Sequence, residues 1–376
     1  MNSVLFVLAI LSGSVALAEW LATKKFFRYL GGALLVILLC ALWANVGIIP
    51  SASNPSPIYG SIFSYLAPLA IFYLLLEVNI KSVLKAGRPM IILFLLGSLG
   101  TCLGVLVGMS VINARENMGA FFYALGGMFA GTYTGGSINF NAVALHYNIA
   151  EQGALYTTAI AVDNIITTLW MGVTIVLPRI MGARKKEMEP SSAHAKTGHD
   201  WVNINPEQLG VLLVLGLAAF LVSEWIGEQT GVPSILVITT IALVLAQLPV
   251  MRKLEGSRLL GMFSISLFLA VIGAYCDIGT LLGSGKLAIY MSIFVGLMIL
   301  THGVFLFGMA RIFNSNWTLV SIASQANIGG STSALALARS FNRSDLVLPA
   351  ILVGTLGNGL GTYLGFMVAA LLQQYA

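Results

Sequence analysis

Of the 14 acidic residues in this chain, Asp163 alone falls near the middle of a long apolar run, from Gly153 to Pro178. A carboxylate at the centre of a bilayer costs at least about 2.5–3.5 kcal/mol on insertion scales, so it must be protonated, paired or bound to a cation. No lysine or arginine falls at comparable depth. The partner this predicts is a coupling ion, H+ or Na+, with Asn164 adding an oxygen. If a metal is held at all, it is sodium at Asp163, since sodium takes hard oxygen ligands.

Two glycine-rich polar motifs supply the rest of the candidate chemistry: Gly131-Thr132-Tyr133-Thr134-Gly135-Gly136-Ser137 and Gln325-Ala326-Asn327-Ile328-Gly329-Gly330-Ser331. Irregular backbone at membrane depth must be buried in protein or line a wet cavity. Helical arms beginning near Ser137 and Ser331 would turn unpaired N–H groups and the positive end of the helix dipole toward such a cavity, a setting for a carboxylate or other anion. Thr132, Thr134, Ser137, Asn139, Asn141, Gln325, Asn327, Ser331, Thr332 and Ser333 are the side chains that would complete recognition. The competing reading is that glycine and serine merely let helices approach closely. His302 sits in another apolar run, where hydrogen bonding between helices is the expected role and proton relay the alternative. Glu77, Asp277 and Lys286 lie at the ends of runs and carry little weight.

These residues need a membrane scaffold. Across 376 residues, 58% are apolar and 9% charged, with 40 glycines, against about 25% charged in soluble domains. Spanning-length apolar runs occur at Val4 to Glu19, Tyr29 to Ile49, Ser61 to Val78, Pro89 to Ile112, Gly153 to Pro178, Leu209 to Ile226, Pro233 to Val250, Leu259 to Cys276, Leu287 to Ala310 and Leu346 to Leu372. The segments 119–150 and 317–340, which hold the polar motifs, either cross as broken helices or re-enter as hairpins. Basic residues concentrate in cytoplasmic loops. With both segments re-entrant and the N-terminus outside, 17 of the 19 basic residues share the cytoplasmic side, leaving Arg115 and Lys286 outside. With both crossing, the split is 9 to 10; with only the second crossing, it is 15 to 4, which leaves that segment open. The net charge of +5 therefore reports orientation, not nucleic acid. Residues 182–207, with Arg184-Lys185-Lys186, His194 and His199, read as a cytoplasmic linker. Cys40, Cys102 and Cys276 have no paired spacing and read as small apolar residues.

The halves resemble each other at a fixed offset of 194, with eight identities over the 34 positions from Gly135: the Gly-Gly-Ser triplets, Ala142/Ala336, Ala144/Ala338, Asn148/Asn342, Asn164/Asn358 and Thr168/Thr362. Glu19-Trp20 and Glu224-Trp225 match at an offset of 205, which makes the first run a helix and not a cleaved signal peptide. Residues 1–181 and 208–376 then each hold four spans, a hairpin and one more span. Five crossings per half invert the second repeat, the pattern of secondary transporters with sites at the midplane. Asp163 has Gly357 as its counterpart, while Asn358 persists. The expected fold is thus an all-α polytopic membrane protein with about ten spans and two hairpins.

At the Gly-Gly-Ser hairpins, the Asp163-Asn164 pair and Asn358, the chain resembles the YjcL-like family of bacterial membrane proteins, a domain of unknown function. The resemblance covers nearly the whole chain. That family is similar to the monovalent cation/proton antiporter and anion transporter superfamily. The resemblance implies scaffold and transport subdomains, a homodimer formed through the scaffold, and ion and substrate sites at Gly135, Gly136, Ser137, Asp163, Asn164, Gly329, Gly330, Ser331 and Asn358. Antiporter members often carry two adjacent acidic residues where this chain has Asp163-Asn164.

The expected function is a secondary transporter of the cell inner membrane. It would move a small organic anion or amino acid, anionic or zwitterionic, coupled to Na+ or H+ by an elevator-type mechanism without a cofactor. The alternative is a monovalent cation/proton antiporter, and behind it a holin-like pore or envelope regulator. An intramembrane enzyme is disfavoured: there is no second deep carboxylate, no HExxH and no G-x-S-x-G.

Overall fold

The computed structural model describes residues 3–24, 27, 31–51, 54–78, 84–181, 205–251, 254–276, 285–341 and 343–374. Of the linker expected at 182–207, residues 182–204 lie outside the described residues, as do Lys25, Arg28, Lys81, Arg252, Lys253 and Asp277; its last residues, Pro206 and Glu207, belong instead to the first turn of a helix, because Asn205 caps it and Pro206 suits its first position. The described chain is helical: α1 Val4–Ala22, α2 Gly31–Asn45, α3 Pro57–Leu75, α4 Arg88–Val111, α5 Ala114–Met118, α6 Phe122–Gly135, α7 Ser137–His146 and α8 Gly153–Ile180. There follow α9 Pro206–Thr230, α10 Ser234–Leu245, α11 Ser257–Ala274, α12 Gly285–Ile312, α13 Trp317–Ser340 and α14 Ser344–Gln373. Eight are long and apolar enough to cross a bilayer, and α2 and α10 are shorter apolar helices.

Local signals explain most boundaries. Ser3 caps α1 by accepting from the Phe6 N–H at 3.2 Å, and Asn205 caps α9 ahead of Pro206. Gly231, in the left-handed conformation, ends α9. Inside α3, Pro68 lacks an N–H for the helical ladder, and the turn before it, Ile62–Leu66, widens to a π-helix. The apolar run from Pro233 to Val250 yields a helix only as far as Leu245.

Two groups of helices pack mainly among themselves. The helices α1–α3 associate with α9–α11, while α4 and α6–α8 associate with α12–α14, and contacts between the groups are sparse. Each group takes corresponding helices from both halves. Within the second group, α4 and α12 run antiparallel: a Cβ on Gly100 would abut the backbone of His302, on Gly104 that of Met298, and on Gly108 the ring and carbonyl of Phe294.

The α6–α14 contact is closer still. Gly127, Gly131 and Gly135 on α6 meet Gly365, Gly361 and Gly357 on antiparallel α14, and a Cβ on any of the six would press against the opposing backbone. Two G-x3-G-x3-G stripes thus form a zipper, which small residues permit between membrane helices. Asn139 of α7 reinforces it by donating to the Gly131 carbonyl at 3.3 Å and the Gly357 carbonyl at 3.1 Å while accepting from the Thr362 hydroxyl at 2.9 Å.

Candidate functional site at the hairpin tips

The chain reverses at Gly136. The legs α6 and α7 lie side by side, with Gly131 against Asn139 and Gly127 against Val143, so segment 119–150 enters and leaves at one end of the bundle. The counterpart break is at Gly330, where α13 turns with φ 71° and ψ −170°; Gly136 has φ 122° and ψ 174°. Both conformations need glycine, since a Cβ clashes there. Both legs of α13, at 320–326 and 334–338, share one apolar cluster with Ala86 and Met90 beside the start of α4, Leu306 and Ala310 at the end of α12, and Leu346 at the start of α14. The second segment is therefore also a hairpin, entered from the end of the bundle where α4 starts. The first hairpin is entered from the end where α4 finishes.

The tips meet. A Cβ on Gly330 would lie 3.2 Å from the Gly135 carbonyl oxygen and 3.6 Å from the Gly136 Cα, and one on Gly136 would lie 3.3 Å from Asn358 Oδ1. Gly354 on α14 abuts the Ser331 backbone, so α14 passes beside both tips.

Around this junction the structure sorts the candidate residues. Ser137 and Thr332 are exposed, and Gly136, Ser331, Ser333, Asn358, Asp163 and Asn164 are half-buried. Others are committed to the fold. Thr134 donates to the Ala130 carbonyl at 2.8 Å, Asn139 belongs to the zipper, and Asn141 accepts from the Tyr156 hydroxyl. Gly135 is helix contact and Thr132 is buried. Asn327 donates to Ser98 Oγ at 2.9 Å, and Gln325 accepts from Thr174 at 3.1 Å. Gly329 lies between Gln325 and Ser333.

Asp163 stands level with the second tip. Trp170 Nε1 donates to Ser324 Oγ at 3.0 Å, and α8 runs antiparallel to the first leg of α13. Seven residues along each helix, about 10 Å at 1.5 Å per residue, bring Asp163 opposite Ser331. The Tyr133 hydroxyl, in the first hairpin, lies against the Asp163 carboxyl and the Thr167 hydroxyl. It donates to the Asp163 main-chain oxygen at 3.4 Å, and Asp163 Oδ1 is buried without a hydrogen-bond partner. No ion pair reaches Asp163 among the described residues.

His302 is held at every polar atom. The Gly97 carbonyl can only accept, so Nδ1, 2.9 Å away, carries the ring proton. Nε2 then accepts from the Ser324 hydroxyl at 2.9 Å, whose oxygen accepts from Trp170. These bonds tie α4, α8, α12 and α13 together. Sequence reasoning missed Thr167, Trp170, Ser321 and Ser324, although Thr167 is one helical turn from Asp163 and Ser321 one turn from Gln325. It also read Gly135 as substrate contact, when the four-residue glycine spacing on α6 and α14 already marked a packing stripe.

A cavity of about 320 Å³ lies between the two helix groups, bounded by Ser64 and Pro68 of α3, His146, Glu151, and Glu224 of α9. No tip residue lines it.

This architecture defines an all-α, multi-pass membrane protein with re-entrant hairpins. The chain belongs to the family described as protein of unknown function (DUF819), whose model matches residues 6–375. It is similar to the uncharacterized membrane protein YjcL of Bacillus subtilis (strain 168), with 27% identity over 365 residues, covering 91% of this chain and 89% of that protein.

Proposed function

We propose that this protein is a secondary active transporter that moves a small organic anion or zwitterion, such as an amino acid, coupled to Na+ or H+ at Asp163. One observation carries the reading: two hairpin tips entering from opposite ends of the bundle meet beside a half-buried carboxylate that has no ion-pair partner among the described residues. Exposed Ser137 and Thr332, with Ser331 and Ser333, supply hydroxyls for the substrate, and Asn164 and Asn358 supply oxygens for the coupling ion beside Asp163. With no basic side chain contributing, helix N-termini provide the positive potential. The sparse contact between the two helix groups supports an elevator-type movement, in which α4, α6–α8 and α12–α14 carry the site past α1–α3 and α9–α11. In this reading the protein is a homodimer of the inner membrane, its N-terminus outside, and it performs no covalent chemistry.

The test is uptake of labelled organic acids and amino acids into proteoliposomes under an imposed Na+ or H+ gradient. Gradient-dependent uptake that Asp163→Asn abolishes, at unchanged incorporation, is the expected result. Gradient-driven uptake unchanged in Asp163→Asn would remove the coupling role. Na+-driven collapse of a pH gradient without any organic substrate would make the protein an antiporter.

A further inference from the structure

The Tyr133 hydroxyl, which lies against the Asp163 carboxyl and the Thr167 hydroxyl, makes a long bond of 3.4 Å to the Asp163 main-chain oxygen. It thus has two acceptors on one residue. The rest of Tyr133 is fixed from three sides. It lies between Gly131 and Gly135 of the zipper, its carbonyl accepts from the Thr101 hydroxyl of α4 at 3.0 Å, and its ring is fully buried with its centroid 5.9 Å from that of Phe129. Only the hydroxyl proton is free to turn. The Asp163 side chain is not held in the same way: the residue is half-buried, Oδ1 is buried without a hydrogen-bond partner, and no ion pair reaches the carboxyl among the described residues.

We propose that Tyr133 competes with the coupling ion for Asp163 and so sets the ion affinity of the site. When the site is empty, the Tyr133 hydroxyl donates to the carboxylate, because a hydrogen bond to a charged acceptor is roughly twice as strong as a neutral one. When a proton or a sodium ion takes the carboxyl, the hydroxyl turns to the Asp163 main-chain oxygen, the bond present in the structure. A carboxylate inside the bundle is then paired in both states, which a buried charge requires. The Thr167 hydroxyl, one turn along α8, can donate to the Tyr133 oxygen and leave the tyrosine proton for Asp163. Two other titratable side chains lie near, and neither competes: Tyr156 gives its hydroxyl to Asn141, and His302 of α12 sits beside Trp170, two turns along α8 from Asp163. The arrangement occurs once. At the offset of 194, Tyr133, Asp163 and Thr167 become Asn327, Gly357 and Gly361, so the first hairpin alone carries a donor that senses the ion. Competition at Asp163 rests on the coupling role proposed above, and the two fail differently by experiment.

The purified full-length protein is unfolded thermally as NaCl replaces choline chloride at constant ionic strength and alkaline pH, and separately in choline chloride as pH is lowered. Each variant is compared with the same variant carrying Asp163→Asn, which isolates the response at Asp163. An ion that binds only the folded state stabilises it once its concentration exceeds the dissociation constant. A donor that holds the carboxylate opposes ion binding, so Tyr133→Phe should bring on the Asp163-dependent stabilisation at an Na+ or H+ concentration about tenfold lower than in the native protein. Thr167→Val should shift the onset the same way by less, and it carries the test if Tyr133→Phe does not fold. A purely structural tyrosine would instead weaken the response or leave its onset unmoved. Onset at native or higher ion concentration in the variants overturns the competition, and Asp163 keeps its coupling role. If the native protein shows no Asp163-dependent response to either ion, the coupling role itself falls and the competition with it.

Discussion

Replacing Gly361 with alanine tests whether backbone contact holds the first hairpin to α14. A Cβ at this position would lie 2.6 Å from both Asn139 Cγ and the Gly131 carbonyl oxygen, about 1 Å inside the ~3.5 Å at which non-bonded heavy atoms meet. Asn139 cannot swing aside without losing its bonds to Gly131, Gly357 and Thr362, and the carbonyl is fixed in α6. Either the helices part or the buried amide loses its partners. The first is overpacking, about 1–3 kcal/mol; the second leaves polar atoms unsatisfied, also about 1–3 kcal/mol. Alanine recovers up to about 1 kcal/mol through its helix propensity. Gly172→Ala on α8 supplies that gain alone, since a Cβ there meets nothing within 4 Å. The two variants should therefore differ by about 1–3 kcal/mol, read as an apparent unfolding temperature several degrees lower for Gly361→Ala in mild detergent. If Gly361→Ala unfolds at or above the temperature of Gly172→Ala, the zipper does not hold the hairpin.

Other consequences are equally direct. His302→Leu removes the acceptor and donor that Ser324 and Gly97 use, and should cost about 2–4 kcal/mol of stability, whereas Trp170→Phe, which removes one donor, should cost about 1 kcal/mol; thermal unfolding ranks them. Cys40, Cys102 and Cys276 are buried, so membrane-impermeant maleimide should leave the native protein unlabelled while modifying Ser137→Cys and Thr332→Cys, which are exposed positions; equal labelling of the native chain would contradict their burial. Burial raises the Glu77 carboxyl above its usual range, against the pull of Arg258 at 3.8 Å. The folded state then binds that proton more tightly than the unfolded chain, so this contribution to stability is present at low pH and fades as pH rises from about 4.5 through the folded value. Glu77→Gln should flatten the pH dependence of unfolding in that window. The side chain is 43% exposed, which keeps the amplitude small.

Much of the fold is legible in the residue order. Composition and the spacing of apolar runs show membrane helices, because lipid demands about 20 apolar residues per crossing. The repeat offset of 194 pairs Gly136 with Gly330, and both turn out to be the points where their hairpins reverse. The isolation of Asp163 is equally plain, since carboxylates are costly in apolar runs. The extent of α10 was not legible: hydropathy alone does not reveal where a helix ends.

The sequence by itself determined that this is a multi-pass membrane protein, with one carboxylate inside a long apolar run and two glycine-rich motifs 194 residues apart. Charge counting left the second motif free to cross or to re-enter. Only the tertiary structure decided that, by placing both legs of α13 in one apolar cluster. It alone also divided the polar residues between packing and site. Asn139 is saturated with hydrogen bonds and Ser321 Oγ has no partner among the described residues. The physical reason is that a polar side chain is available to a ligand only when no protein group already satisfies it, and its neighbours across a helix interface lie far away in the chain.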